Sequence, residues 1–289
     1  MPVPQWFADR LAWKKASKQA SPRCIKYFGV PYGPNLADLS GTSSTRIAGD
    51  VYRLLQIPVD KVTDLDLSSI EAQKDRQADE DADRGNRELT AAGTQLEADL
   101  EIDIHEGLNA RDPDRGWYVT RRGRVSQFAQ YQHLEELQKL FESNPTLKTT
   151  IGRDYQVSTD VMVGLPNQWA GGPEHTLHAA VSSKLTLRSD RAQNVRVEFG
   201  TLVRNRRGRL PHLVVVTAEP LPSRIVSLAR GTGEVDAVYH LLFDEINAAL
   251  SDLRRVDRHL QNQWEDWDEL VQMARLRPYS ELAGVLATG

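Results

Sequence analysis

The chain has 289 residues, of which 40% are hydrophobic and 26% are charged, and its formal net charge is −4. This composition excludes a fully disordered chain, a collagen-like repeat and a small disulfide scaffold, and the length is sufficient for one large domain or two modest ones. With one cysteine, no signal-peptide pattern and no apolar stretch long enough to cross a bilayer, the sequence predicts a soluble, cytoplasmic protein.

The amino-terminal part is predicted to be irregular at first and then helical. Residues 1–45 are rich in Pro, Gly and Ser. In the stretch SGTSSTRIAGDVYRLL, Thr45 is a plausible helix cap, and an apolar stripe with helical spacing includes Ile47 and Val51. The polar and acidic residues 60–86 predict an exposed loop or a loose helix.

Two amphipathic helices are predicted next. In the segment from Glu88 to Leu108 an apolar residue recurs every four positions, and Glu97 lies beside that stripe. The segment from Val125 to Phe141 has a second apolar stripe, and the following Asn-Pro pair is expected to end the helix.

The middle of the chain predicts strands. They are expected at 157–163, 177–187 and in LPHLVVVTAEP, with a helix at 189–203 and a helical tail at 238–270. This order predicts an α/β fold with a mixed central β-sheet flanked by helices. We expect one domain over 1–289, with a helical part at 1–150, a core at about 154–240 and a helical tail at 241–289. Trp264 and Trp267 in this tail are predicted to lie in the core or in a subunit contact.

Charge is unevenly distributed along the chain. Residues 60–106 contain 15 acidic and 5 basic residues, whereas residues 182–212 contain 8 basic and 2 acidic residues. A basic segment in an acidic chain indicates an anion-binding face, for which nucleic acid is the leading ligand. A solvated helix with surface salt bridges explains the same charges.

One set of residues predicts metal-assisted phosphodiester chemistry. Asp160 lies on one predicted strand, and the alternation of the next strand places Ser182 and Lys184 on one face. Nucleases of the PD-(D/E)xK kind use an acid, a second acid and a lysine in this arrangement, because carboxylates bind Mg²⁺ and an amine stabilises developing charge. Here Ser182 occupies the position of the second acid, and Glu198 on the following helix is the natural substitute. A surface salt bridge between Asp160 and Lys184 is the alternative.

The residues that follow predict base recognition. Ser189 is a good N-cap, so its neighbours are expected to project from a helix N-terminus. Arg188 and Arg191 suit a bidentate contact with guanine, and Asp190 can accept from the amino group of cytosine. These three side chains can read two G·C pairs, and a twofold dimer extends this to a palindrome such as CCGG. A salt-bridge cluster is the alternative, although cations at a helix N-terminus oppose its dipole.

The chain closely resembles the NgoMIV-type restriction endonucleases with a CCGG core, in the segments HAAVSSKLTLRSDRAQNVRVEF, GTLVRNRRGRLPHLVVVTAEPLPSR and GTGEVDAVYH. The resemblance is close over residues 154–239 and weaker at SGTSSTR and AAGTQLEADL. It implies a restriction-endonuclease-like core, Mg²⁺ as the cofactor with two ions per active site, and double-stranded DNA as the substrate. It also implies a homo-oligomer, either a dimer or a tetramer built from two dimers, and a cognate DNA methyltransferase.

The resemblance also implies roles for individual residues of the active site. Asp160 and Glu198 match the metal-binding acids, and Glu97 matches an additional acid. Ser183 and Lys184 match active-site strand residues, with Ser183 in place of a cysteine of the family.

The same resemblance assigns the base-reading residues. Arg188, Asp190 and Arg191 match the residues that read the CCGG core, beside Ser189. The expected product has 5′-phosphate ends and four-base 5′ overhangs. The outer base pair stays open, because no glutamine stands at the matching position near Thr90. GCCGGC is therefore the first expectation, and RCCGGY or another flanked CCGG site is the second.

Three other functions are compatible with these residues. They are a sequence-specific DNA-binding protein without cleavage, a nuclease that requires methylated cytosine, and a structural oligomer whose basic loop binds an acidic partner. A restriction enzyme cleaves unmethylated DNA, whereas the non-cleaving DNA-binding protein and the methylation-dependent nuclease do not. A structural oligomer shows no salt-dependent affinity for DNA, which phosphate contacts would produce.

Overall fold

The amino-terminal region is built from short elements. The computed structural model of the chain describes residues 3–69, 84–121, 123–143, 159–168, 172–231 and 233–289. The first elements are α1 (Gln5–Ala8), β1 (Trp13–Lys15), α2 (Ser21–Phe28), β2 (Tyr32–Pro34) and α3 (Thr42–Leu54). Strands β1 and β2 pair antiparallel.

A long helix then leads to the main sheet. This helix is α4 (Arg84–Asn109), and its predicted apolar stripe is buried at Leu96, Leu100, Ile104 and Leu108. It packs against β3 (Tyr118–Thr120) and β4 (Val161–Pro166), which are neighbours in the sheet. Helix α5 (His133–Ser143) lies between these two strands in the chain.

The main sheet has six strands in the order β3-β4-β5-β6-β7-β8. The remaining strands are β5 (His175–Ser183), β6 (His212–Thr217), β7 (Ala237–His240) and β8 (Leu276–Pro278). Strand β4 pairs antiparallel with both β3 and β5, whereas the pairs from β5 to β8 are parallel. The sheet is therefore mixed, which confirms the predicted α/β class.

Helices connect the parallel strands, as parallel pairing requires. They are α6 (Ser189–Asn205), α7 (Pro222–Ala229), α8 (Phe243–Leu253) and α9 (Arg258–Gln272), and a last helix, α10 (Leu282–Thr288), follows β8. One buried apolar core extends from Phe7 to Leu286, and β6 contributes four consecutive buried residues, Leu213 to Val216. Trp267 is fully buried, which confirms its prediction as a core residue. In the part of the chain that the structure describes, no helix combines the length and the apolar character needed to cross a membrane.

The segment predicted as one helix from Val125 to Phe141 differs from that prediction. Two 3₁₀ turns, at Val125–Gln127 and Ala129–Tyr131, precede α5. Phe128 between them is extended, and the buried Gln130 side chain bonds both the N–H and the carbonyl of Leu177 on β5. Three side chains of the predicted stripe, Phe128, Tyr131 and Leu134, are buried, but the hydrogen bonds of Gln130 with the sheet replace regular helical bonding.

Other predicted boundaries are corrected as well. Helix α3 begins at Thr42 with Gly41 as its N-cap, so Thr45 lies inside the helix and donates to the Gly41 carbonyl. The predicted helical tail from 238 begins within strand β7, because a short run buried on both faces has no periodicity that separates a strand from a helix. Most of the acidic segment 60–86, namely residues 70–83, lies outside the described residues.

Candidate functional site

The start of β4 and the end of β5 meet at one edge of the sheet. In this antiparallel pair Val161 lies opposite Val181, so Asp160, which directly precedes β4, lies beside Ser182. The predicted strand 157–163 is observed at Val161–Pro166, and residues 151–158 lie outside the described part. The register alone therefore brings the predicted acid to the predicted serine and lysine.

Asp160 is the centre of a compact hydrogen-bonded group. Its Oδ2 atom accepts from the backbone N–H of Ser183 at 2.7 Å, from Nζ of Lys184 at 2.8 Å and from Oγ of Ser182 at 3.2 Å. Ser182 and Lys184 thus share a face, as the alternation predicted. Ser183 makes its contact through its backbone.

Lys184 is the first residue after β5, rather than a residue inside the strand. Its N–H donates to the Val216 carbonyl at 2.9 Å, so pairing with β6 continues for one residue. Leu185 and Leu187 are buried although the strand has ended, and their apolar spacing explains why the sequence predicted a strand up to 187. The Lys184 and Asp160 side chains are 17% and 24% exposed, so the ion pair remains open to a ligand from solvent.

Glu198 lies on the face of α6 that packs on the core. It is half-buried, and helical spacing places it between the buried residues Val195 and Leu202.

Glu97 lies on α4, one turn before a residue that contacts the end of β3. The carboxylate of Glu101, one turn further along α4, accepts from the Arg121 N–H at 3.1 Å. Arg121 follows β3, whose last residue Thr120 pairs with Met162 near the start of β4. The half-buried Glu97 lies one helical turn before Glu101, and its role at the site stays a prediction.

The available donors suit Mg²⁺ in a site with few protein ligands. Within the described residues, no group of three or more His, Cys, Asp or Glu side chains is arranged to hold a metal ion, so a cluster of three carboxylates is not observed. Mg²⁺ is usually held by one or two carboxylates, together with waters and substrate phosphates. A partly exposed Asp160 beside a lysine fits that kind of site, and the ligand roles of Asp160 and Glu198 stay a prediction.

The predicted DNA-reading residues occupy the turn that follows. We name residues 186–191 the reading segment. Arg188 is the extended N-cap residue of α6 and is exposed. Arg191 is only 2% exposed, and its Nη1 atom donates to the carbonyl of Thr186 at 3.0 Å and to its Oγ1 atom at 2.9 Å.

Two expectations about this segment are corrected. Arg191 does not project from the helix N-terminus in this structure, because one turn of helix returns its guanidinium to the buried acceptors of Thr186. Ser189 is the first helical residue, and the N-cap is Arg188. The Ser189 and Asp190 side chains lie outside the described residues, as does that of Thr90.

The sequence analysis missed the residues that hold the reading segment in place. Glu219, which is fully buried, accepts the Leu187 N–H at 2.7 Å through Oε2. Thr186 Oγ1 donates to the carbonyl of Ser68 at 3.0 Å, which connects the segment to the amino-terminal region. The sequence does contain a signal for Glu219, because an acid follows directly after the buried run of β6, in TAEP.

Sequence comparison assigns the chain to a family. It matches the family described as NgoMIV restriction enzyme over residues 114–168 and 166–287, which is more than half of its length. The chain belongs to the NgoMIV restriction enzyme family. It is 43% identical over 156 residues to the Type II restriction enzyme NgoMIV of Neisseria gonorrhoeae, a stretch that covers 46% of this chain and 54% of that protein. The chain thus aligns with about half the length of this curated relative.

The part that matches the NgoMIV family contains most of the site. Asp160, Lys184, Glu198 and the reading segment all lie within it, whereas Glu97 precedes the first matched residue. The group around Asp160 therefore belongs to the region shared with the family. The role predicted for Glu97 rests on the resemblance at AAGTQLEADL alone.

Proposed function

We propose that this protein is a type II restriction endonuclease that hydrolyses phosphodiester bonds of double-stranded DNA. The observation that carries the proposal is the contact of Asp160 with Lys184 and the Ser183 N–H at the end of β5, inside the region that matches the NgoMIV family. A carboxylate and an amine held together at a sheet edge, beside a basic segment, fit the chemistry of a phosphodiester substrate.

Each active-site residue has a distinct role in this proposal. Lys184 places its ammonium beside Asp160, where it stabilises the charge that develops on the scissile phosphate and orients the attacking water. Ser183 and Ser182 fix the Asp160 carboxylate through their donated hydrogen bonds, so the carboxylate needs no reorganisation during the reaction.

Asp160 and Glu198 are the residues that would hold Mg²⁺, with Glu97 assisting. When bound, the ion polarises the phosphate and lowers the pKa of a coordinated water. Two carboxylates suit the oxygen preference of this cation, and DNA phosphates supply further ligands. The resemblance to the CCGG-core restriction endonucleases further leads us to propose two Mg²⁺ ions per active site.

Arg188, Asp190 and Arg191 would read the CCGG core, beside Ser189 at the start of α6. Arg188 is exposed and can enter a groove without rearrangement. Arg191 must first turn away from Thr186, so base reading by this residue requires a change in its side-chain conformation. A palindrome requires a twofold dimer, and a tetramer of two such dimers is proposed from the resemblance.

We propose that the enzyme cuts within GCCGGC. The DNA ends that it leaves then carry 5′-phosphates and four-base 5′ overhangs. RCCGGY is the second candidate for the outer base pairs. Such an enzyme acts in the cytoplasm together with a DNA methyltransferase of matching specificity, since unprotected host DNA would otherwise be cut.

A plasmid digest tests the proposal. Plasmids with and without cytosine methylation are incubated with the protein and Mg²⁺ or with EDTA, and the cut ends are sequenced by run-off. Discrete fragments from unmethylated DNA, with ends in a CCGG core, support the proposal. Cleavage only of methylated DNA indicates a methylation-dependent nuclease.

A pair of variants shows whether the cleavage belongs to this site. Asp160→Asn should abolish cleavage, whereas Asp60→Asn, at an exposed aspartate, should leave it unchanged. Tight sequence-specific binding without cleavage under every condition would contradict the endonuclease and leave a DNA-binding protein.

A further inference from the structure

The reading segment is tied to the sheet by one buried carboxylate. Glu219 follows β6 and has no exposed surface. Its Oε2 atom accepts the Leu187 N–H at 2.7 Å, and its Oε1 atom accepts the Leu221 N–H at 3.0 Å. A buried carboxylate needs such partners, because an unpaired one costs several kcal/mol of desolvation.

The contact at Leu187 constrains the residue that follows it. The peptide group that carries the Leu187 N–H joins Thr186 to Leu187, and Arg188 comes next in the chain. Because a peptide unit is planar, fixing this N–H leaves the two backbone torsions of Leu187 to set the position of the Arg188 Cα atom. The carbonyl of this same peptide is the acceptor of the Arg191 guanidinium.

We propose that Glu219 is a positioning residue for DNA recognition, which holds the peptide group between Thr186 and Leu187 so that Arg188 and Arg191 reach the bases in the correct register. This inference rests on the proposed function. Glu219 itself touches no reacting atom, and it acts through the reading segment.

Three charged or titratable groups face Glu219 among the described residues. Arg224 on α7 places Nη1 at 3.6 Å from Oε2, and its Nη2 atom donates to Asp38 at 2.9 Å. His240 on β7 contacts the Glu219 carbonyl at 3.0 Å. Although burial opposes it, hydrogen bonds from Ser40 and Arg224 lower the pKa of Asp38 to about 2, and burial lowers the pKa of His240 to about 4.

Glu219 is therefore the member of this cluster that titrates near neutrality. Burial raises its pKa to about 7, against the opposing effects of Arg224 and the two backbone N–H donors. Below this pH the neutral carboxyl group accepts the Leu187 N–H less strongly. Specificity should therefore fall as the pH is lowered through about 7.

Global stability should change in the opposite direction. A raised pKa means that the folded state binds more protons than the unfolded state between the ordinary glutamate value and about 7. The contribution of Glu219 to stability is thus largest at low pH and is lost as the pH rises through this window. If Glu219 had a purely structural role, specificity and stability would change in the same direction with pH. If Glu219 positions the reading segment, the two change in opposite directions.

The first experiment examines the contact without DNA. The protein is labelled with ¹⁵N-leucine, and the amide resonance of Leu187 is followed from about pH 5.5 to 8.5, a range that brackets the titration. We expect a shift with a midpoint near 7 in the wild type and none in Glu219→Gln, because glutamine does not titrate. A Leu187 resonance that stays constant in the wild type would overturn the proposal.

The second experiment measures specificity. The ratio of cleavage rates is determined for a duplex with the site found by run-off sequencing and for one with a single changed base pair in its core. Glu219→Gln should lower this ratio about tenfold at pH 8 and make it independent of pH, since a charge-assisted hydrogen bond is lost. The melting temperature at pH 8 should not fall.

A matched variant controls for the loss of a buried carboxylate. Burial also raises the pKa of Glu245 on α8, which is half-buried and, within the described residues, is not among the contacts of the reading segment, so Glu245→Gln should leave the ratio unchanged. A lower melting temperature with an unchanged ratio in Glu219→Gln would contradict positioning.

The two experiments separate this inference from the proposed function. If the wild type cuts DNA but Glu219→Gln keeps its ratio, positioning fails and the endonuclease stands. If no DNA is cut while Leu187 titrates with Glu219, the proposed function fails and the contact has only a structural role.

Discussion

The two ends of the site are built in different ways, although both lie at the carboxyl end of β5. At the hydrolytic end, three donors from consecutive residues meet one oxygen of Asp160, and strand register places them there. In the reading segment, Arg188 is exposed but Arg191 is buried against Thr186. Strand register thus assembles the hydrolytic end, whereas the reading segment depends on tertiary contacts with Ser68 and Glu219.

The largest expected effect separates chemistry from recognition. Lys184→Ala removes the ammonium beside Asp160 but leaves the reading segment untouched. We expect the cleavage rate to fall about 10²–10³-fold, the usual cost of losing one group that stabilises transition-state charge. Affinity for a CCGG duplex, measured by fluorescence anisotropy, should be retained.

The exposed Lys139 on α5 provides the control for this variant. Lys139→Ala removes the same charge at an exposed position on α5 and should cut DNA at the wild-type rate. Full cleavage by Lys184→Ala would remove the lysine from the mechanism, and loss of specific binding would show that the two ends of the site are not separable.

The next effect combines stability with specificity. Arg191→Ala leaves the buried carbonyl and hydroxyl of Thr186 without this donor, which costs about 1–3 kcal/mol of unfolding free energy. The same variant should lose about 1–3 kcal/mol of discrimination for a CCGG core. Calorimetry and competition binding measure the two losses.

Arg204 at the other end of α6 is a suitable control for Arg191. It is exposed, and its alanine variant should change neither the melting temperature nor the discrimination between duplexes. An Arg191→Ala protein that is destabilised but discriminates normally would assign Arg191 a structural role only.

A smaller change is expected for the exposed arginine. Arg188→Ala removes a solvent-facing side chain, so the melting temperature should stay within the range typical of surface substitutions. Discrimination for the CCGG core should fall by about 1–3 kcal/mol in the same competition assay. Equal losses on specific and random duplexes would instead indicate a phosphate contact.

The hydrolytic end was predictable because it depends on short-range rules. Two strands with alternating residues bring Asp160 beside Ser182 and Lys184, and these patterns are visible in the sequence. The helical stripe that begins at Leu96 was predictable for the same reason, and all of its members are buried.

The reading segment was less predictable because its geometry depends on distant partners. Helix-capping rules placed the N-cap at Ser189, one residue after the observed N-cap Arg188, and gave no indication that Arg191 would turn towards Thr186. The partner of Leu187 is Glu219, 32 residues further along the chain, so no local pattern contained this contact. The hydrogen bonds of Gln130 were not predictable for the same reason, because their partner on β5 is distant in the chain. These bonds interrupt the predicted helix.

The smallest expected effect tests the hydrolytic end by itself. Ser182 reaches Asp160 through its hydroxyl at 3.2 Å, whereas Ser183 uses its backbone N–H at 2.7 Å. Ser182→Ala should therefore lower the cleavage rate by less than about tenfold, since its hydrogen bond is the longest of the three and the two shorter hydrogen bonds remain. Ser183→Ala keeps its donor and should leave the Asp160 geometry unchanged. Rates of both variants under identical Mg²⁺ concentrations decide the matter: a larger loss for Ser183→Ala would mean that its side chain, and not the strand backbone, organises the carboxylate.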